Sequence, residues 1–206
     1  MLMQLAIVEG LRKDDPTATI KSMKIKGDGF HTWTEDEIAA FETKYPLGTR
    51  ARLAFALLLY TAQRRGDVIR MGRQHVRAGV LRVRQQKTGM NLEIPLHSAL
   101  QAAMDAGPTG DLTFLVTSAG KAFTPAGFGG WFHQVCLDAG LDGCSAHGLR
   151  KAASRRLAEA GCTAHEIMSI TGHKTLKEVT RYTAAADRSK LAIVAMNKTA
   201  TGSVKP

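Results

Sequence analysis

Acidic residues, cysteines and long apolar runs are all scarce in this chain of 206 residues, and each scarcity closes off a class of protein. Asp and Glu number 18, against 28 Lys and Arg, and the acidic residues form no cluster that points to a metal site. The three cysteines, Cys136, Cys144 and Cys162, are odd in number and make no Cys-x-x-Cys pair. That pattern argues against a disulfide scaffold or a zinc module and for a reduced, intracellular compartment. The apolar run from Leu53 to Tyr60 is too short to span a bilayer. Met1 to Gly10 lacks the basic start and cleavage site of a signal peptide. Internal repeats and low-complexity blocks are absent as well.

What remains is a basic chain with an ordinary core. Hydrophobic residues make up 44%, which suits one globular domain with extra segments at its ends. The formal net charge of +10 and pI of about 9.8 favour a polyanionic partner, nucleic acid first. The distribution is sharper than the total. Arg64, Arg65, Arg70, Arg73, Arg77, Arg82, Arg84 and Lys87 fall in one stretch, opposed only by Asp67. Such a stretch is either a solvated face or a surface that tracks phosphates.

Periodicity and caps predict a mostly helical α+β domain with a small antiparallel sheet on one flank. A helix end over residues 1 to 12 is broken at Asp14-Asp15-Pro16. Thr17 to Gly29 is polar and glycine-containing, and is expected to be a linker. The compact domain is expected from about His31. Thr34 and Glu37 form a capping box that opens a helix running to about Tyr45. Helices are also predicted over Arg50 to Thr61, just after Gly66, over Ser98 to Ala106, over Thr124 to Ala139, and from after His147 to near Gly161. Val80 to Arg84 and Asn91 to Pro95 alternate as strands do, which puts Lys87 at or near a hairpin tip. Capping boxes at Thr163 and Thr175 open two more helices, the second ending at Arg181 and Tyr182. A last helix is expected over Asp187 to Met196, followed by a disordered tail from Asn197 to Pro206.

The chemistry concentrates late in the chain. His147 and Arg150 are three apart on a helix and share a face, so both can reach one phosphate. Gly172 is a good helix C-cap, with His173 next to it. Tyr182 follows nine residues later, beside Arg181. Arg64 precedes Asp67 by three, which would let the carboxylate orient the guanidinium, with Arg65 as the competing choice. Taken singly, each has a bland explanation in surface charge or packing. Together they make a kit for attacking a phosphodiester without a metal. A phenol can form a phosphoester, guanidiniums can carry charge building on phosphate oxygens, and a lysine or histidine can move protons.

In this order and context the motifs resemble the catalytic domain of tyrosine recombinases, the phage integrase family. The likeness rests on His147-x-x-Arg150, Gly172-His173 and Tyr182, on Tyr60-Thr-Ala-Gln-Arg64-Arg-Gly-Asp67, and on Gln85-Gln-Lys87-Thr88. It covers roughly residues 31 to 190. The resemblance implies a site-specific DNA recombinase, from a prophage or other mobile element, acting in a bacterial cytoplasm on nucleoid DNA. It implies Tyr182 as nucleophile, Arg64 and Arg150 on the non-bridging oxygens, and Lys87 as acid for the leaving oxygen. His147 would assist proton transfer at the tyrosine and His173 would donate to the phosphate. Arg65, Arg82, Arg84 and Lys151 are the expected DNA contacts. No cofactor or metal is implied. The partners would be double-stranded DNA and further protomers, monomeric when free and tetrameric on paired sites.

Two positions depart from the family pattern. Ala62-Gln63 stands where Gly-Leu is frequent, and Lys151 follows Arg150 where histidine is frequent. Family members also carry a helical core-binding domain ahead of the catalytic one. Residues 1 to 30 would hold only its last helix and the linker, with the catalytic domain over 31 to 186 and a C-terminal helix and tail over 187 to 206. The alternatives are a catalytically idle DNA-binding remnant and an enzyme of the type IB topoisomerase kind.

Overall fold

A computed structural model describes residues 2–19 and 29–201. The first helix, α1 (Leu2–Val8), buries none of its residues and leaves Leu2, Leu5 and Val8 exposed. The expected linker lies outside the described residues over 20–28.

The expected capping box starts α2 (Glu35–Lys44). Thr34 Oγ1 accepts the Glu37 N–H at 3.2 Å, and Glu37 Oε2 accepts the Thr34 N–H at 2.7 Å. Helix α3 (Arg50–Thr61) is buried from Leu53 through Leu59 and forms the axis of the core. It ends at Ala62 in the left-handed region, φ 54 and ψ 25. The short α4 (Arg65–Val68) and a 3-10 turn at Arg73–His75 lead to the sheet.

Three antiparallel strands make that sheet, in the order β1 (Val76–Arg77), β2 (Val80–Arg84), β3 (Asn91–Pro95). Leu81 pairs with Ile94 and Val83 with Leu92, and these four side chains enter the core. Arg82 and Arg84 alternate to the outer face, opposite Glu93 and Asn91. The two residues of β1 are too few to show a period, and the sequence gives no sign of them.

The remaining helices are α5 (Ser98–Ala106), α6 (Pro125–Asp138), α7 (Ala146–Glu159), α8 (Ala164–Thr171) and α9 (Leu176–Thr201). Helix α7 starts slightly earlier than expected, because Ser145 caps it by accepting the Gly148 N–H at 3.2 Å. Helix α9 corrects two expectations. It neither stops at Tyr182 nor restarts at Asp187, and it continues through Asn197 to Thr201. Between Thr175 and Thr201 no Gly or Pro interrupts it, and Ala184 to Ala186 are strong helix formers. Residues 202–206 of the expected tail lie outside the described residues.

Aromatic side chains fill the centre. Trp33, Phe41, Phe55, Phe128 and Phe132 are fully buried, and Phe41 stacks on Phe55 at 4.8 Å between centroids. Burying each phenylalanine contributes about 1.5–3 kcal/mol. Trp33 also works at a distance: its Nε1–H donates to the Ser145 carbonyl at 2.9 Å and pins the start of α7. A second, smaller cluster of Ala158, Ile167 and Val179 joins α7, α8 and α9, with Tyr182 packed against it. Among the described residues no helix is long and apolar enough to cross a membrane.

Candidate active site

Arg150 projects from the second turn of α7 and is only 3% exposed. A buried guanidinium is costly unless its N–H groups find partners. Here Nη1 donates to the carbonyl of Ala62 at 2.6 Å, and Nη2 lies 3.2 Å from His173 Nε2. Burial, and next the nearby charge of Arg64, lower its pKa to about 10, so it stays cationic at neutral pH. The remaining donors face a cleft of about 310 Å³ that Arg64, Arg65, His147 and Arg150 line together, with Phe30, Phe132 and His133. The left-handed turn at Ala62, where the family pattern has glycine, aims the carbonyl that tethers Arg150.

Arg64 sits just ahead of α4, half-buried. The expected Asp67 partnership is not what orients it. Asp67 is buried and spends its Oδ1 on the Gln86 N–H at 2.8 Å and on Arg70 at 3.3 Å. Arg64 Nη1 instead donates to Gln85 Oε1 at 3.1 Å. Gln85 is 1% exposed, and its Nε2 donates to Gln63 Oε1 at 2.7 Å and to the Thr171 carbonyl at 2.8 Å. Gln63, fully buried, donates its Nε2 to the carbonyls of Thr61 and Ile170 at 2.9 and 2.7 Å. Motif spacing marks neither glutamine as a site residue.

The hydrogen bonds around His173 fix its tautomer. Arginine can only donate, so Nε2 is the acceptor toward Arg150. Nδ1 then carries the proton and donates to Thr171 Oγ1 at 2.7 Å, and that hydroxyl donates onward to the Ile167 carbonyl at 2.8 Å. Burial first, and then Arg150, push the pKa of His173 down to about 4, so the ring is neutral. His147 is exposed, against Phe30 at 4.7 Å between ring centroids. Its pKa is also lowered, by partial burial and then by Arg150, Lys151, Arg64 and Arg181.

Lys87 and Tyr182 do not line this cleft. Lys87 is exposed in the turn that joins β2 to β3, with no hydrogen bond or ion pair among the described residues. Tyr182 lies in the second turn of α9, half-buried on the side packed against α7 and α8. Its hydroxyl accepts from Arg181 Nη2 at 2.7 Å, and the same guanidinium lies 4.7 Å over its ring. If ionised, Tyr182 would raise the pKa of Arg150.

The expected DNA contacts divide. Arg65 is exposed at the cleft, and its Nη1 would lie 2.5 Å from any Cβ placed on Gly129 of α6. Arg84 is exposed on the outer face of the sheet without a partner among the described residues. Arg82 beside it pairs with Glu93 across the strands at 3.0 Å. Lys151 donates its Nζ to the Phe30 carbonyl at 2.5 Å and so ties down the segment ahead of α2. His31, Glu37 and Cys144 bring potential ligand atoms within 4.8 Å of one another. The Glu37 carboxylate is already shared between the α2 cap and His31, and burial and Glu37 hold the Cys144 thiol protonated, with a pKa near 12. These contacts read as a polar anchor between α2 and the lead-in to α7.

Comparison with known proteins finds relatives by sequence and by fold. Tyrosine recombinase XerD of Xanthomonas campestris pv. campestris is 26% identical over an alignment 206 residues long, covering 88% of this chain and 64% of its own. The integrase of Escherichia phage HK022 is 31% identical over 97 residues, or 47% of this chain and 27% of its own. The chain thus spans under two thirds of the length of either relative. Among solved structures, a lambda integrase fragment (residues 75–356), a dimer bound to a COC′ core site, superposes with a TM-score of 0.69 at 25% identity. The superposition covers 84% of this chain and 68% of that one. Residues 34–189, which carry every side chain of the cleft except Phe30, match the phage integrase family, and to that family the chain belongs.

Proposed function

We propose that this chain is the catalytic part of a site-specific DNA recombinase that cuts and rejoins duplex DNA through a 3′-phosphotyrosyl link. The observation that carries the reading is the buried Arg150. It is tethered by Ala62 and His173, faces Arg64 and His147 across one cleft, and lies within charge range of Tyr182. A scissile phosphate in that cleft would meet both guanidiniums. Relatives acting on DNA support the same reading.

In the proposed reaction Tyr182 Oη attacks phosphorus while the bond to the 5′ oxygen breaks. The phenol proton passes toward His147, and Lys87 Nζ gives a proton to the departing 5′ oxygen. Lys87 has no competing partner among the described residues, so the β2–β3 turn can carry it to that oxygen. Arg64 and Arg150 hold the non-bridging oxygens, where charge builds, and losing one such donor typically costs about 10² to 10³ in rate. Arriving phosphate gives Arg150 Nη2 an anionic acceptor. His173 Nε2 is then released to take a proton from solvent and donate it in a hydrogen bond to the phosphate. The reaction is closed when a 5′-hydroxyl of a partner strand attacks the phosphotyrosine and regenerates Tyr182. One phosphoester replaces another, so no nucleotide cofactor enters.

The proposal extends to the surroundings. Residues 1 to 30 would be the end of a core-binding helix and a linker, 31 to 186 the catalytic domain, and 187 to 206 a C-terminal helix and tail that engage a neighbouring protomer. Partners are double-stranded DNA and further copies, single when free and fourfold on paired sites, in the bacterial cytoplasm. Incubation with a pool of nicked duplexes of random sequence, followed by denaturing separation, tests the chemistry. A covalent protein–DNA adduct is expected, with the DNA mass on the peptide containing Tyr182. No adduct, or DNA mapped to another residue, overturns the reading.

A further inference from the structure

The two buried glutamines bind Arg64 directly and adjoin the residues next to Lys87, Arg150 and His173. Together Gln63 and Gln85 use all four amide hydrogens and both amide oxygens in hydrogen bonds. Gln85 Oε1 accepts from Arg64 Nη1 at 3.1 Å and from Thr88 Oγ1 at 2.5 Å, and Thr88 is the residue next to Lys87. Gln85 Nε2 reaches the carbonyl of Thr171, whose hydroxyl orients His173. Gln63 adjoins Ala62, whose carbonyl tethers Arg150, and binds the end of α8 through Ile170. Gly172 fits against the pair, since a Cβ there would lie 2.5 Å from Gln85 Nε2. Unpaired, each amide would carry the full cost of burying a polar group, so the network has one low-energy arrangement.

We infer that Gln85, seated by Gln63, is a positioning residue: its carbonyl oxygen sets Arg64 and the Lys87 turn in register with each other. The inference rests on the proposed recombinase chemistry. One acceptor atom is shared by the group that stabilises the phosphate and the turn that delivers the proton. Its place is fixed from behind by Gln63 and Thr171. Displacing that atom loosens both functions at once, whereas loosening the Thr88 contact affects only the proton donor.

The test compares wild type, Gln85→Met and Thr88→Val in single-turnover attachment to nicked DNA. Each protein reacts with a normal 5′-bridging oxygen and with a 5′-bridging sulfur, whose thiolate leaves without a proton. Thr88→Val is expected to attach about tenfold more slowly to the oxygen substrate and at the wild-type rate to the sulfur substrate. Gln85→Met is expected to lose rate on both, about 10- to 100-fold, and more on oxygen, with DNA affinity unchanged. Equal rates for Thr88→Val and wild type on oxygen, or an equal loss on both substrates, overturn the inference. So does a Gln85→Met protein that reacts like wild type or whose only deficit is DNA affinity. If Gln85→Met does not fold, Thr88→Val decides alone. Wild type forming no adduct on either substrate would sink the proposed function and this inference with it. An active wild type matched by both variants would sink the inference only.

Discussion

His173 shows how one side chain records its surroundings. Its neutral ring has a pKa lowered to about 4, and an unfolded histidine titrates near 6.5. Between those values the unfolded chain binds a proton that the folded chain refuses. Stability from the neutral ring is therefore complete above pH 6.5 and falls as the pH drops toward 4. His147, shifted in the same direction, adds to the trend. The melting temperature should decline through this window, and His173→Gln should flatten the decline; an unchanged slope would mean that the ring is solvated. Ala62 supplies a second residue-scale outcome. Its φ of 54 is strained for any side chain with a Cβ. Ala62→Gly should stabilise the fold by about 0.5–1 kcal/mol, near 2 °C in melting temperature. A drop in melting temperature would show that the alanine methyl, 1% exposed, packs for more than the strain costs.

At the scale of elements, the sequence was most legible where a local rule dominates. Capping boxes placed the starts of α2 and α8, and strand alternation placed β2 and β3 at their observed ends. Helix α9 outruns its motif, because a pattern ending in tyrosine suggests a stop that no Gly or Pro supplies. Of the side chains that line the candidate cleft, motif spacing marks Arg64, Arg65, His147 and Arg150. The glutamine pair is not marked, because its partners are distant in sequence. One signal pointed to it: the alternation that turns Leu81 and Val83 inward also turns Gln85 inward, and an amide on a core face requires a partner. Spacing alone would let Asp67 hold Arg64, whereas the fold turns its carboxylate to the Gln86 N–H. The β2–β3 turn carries this scale's prediction. Lys87→Ala should lose most attachment to a 5′-bridging oxygen and regain it with 5′-bridging sulfur. Failure of sulfur to restore the rate, in a folded protein, would remove Lys87 from the acid role.

The whole molecule is a basic surface around a buried cation. Binding of duplex DNA by this chain should be weak and steeply dependent on salt, with about 0.9 of slope in log K against log salt for each phosphate contacted. Arg84→Ala should reduce that slope by about one contact. Arg82→Ala should change it less, because Glu93 already neutralises Arg82 at 3.0 Å. Salt-insensitive binding would mean that the sheet face does not meet DNA.

The central claim is that a phenol on α9 becomes covalently joined to DNA in a cleft organised by Arg150. The most direct measurement compares wild type with Tyr182→Phe on nicked duplexes, scoring adduct and affinity in parallel. The phenylalanine keeps the ring against Ala158, Ile167 and Val179 and removes only the oxygen that Arg181 binds. The account predicts no adduct and nearly unchanged DNA affinity. A phenylalanine variant that still forms the adduct would contradict it.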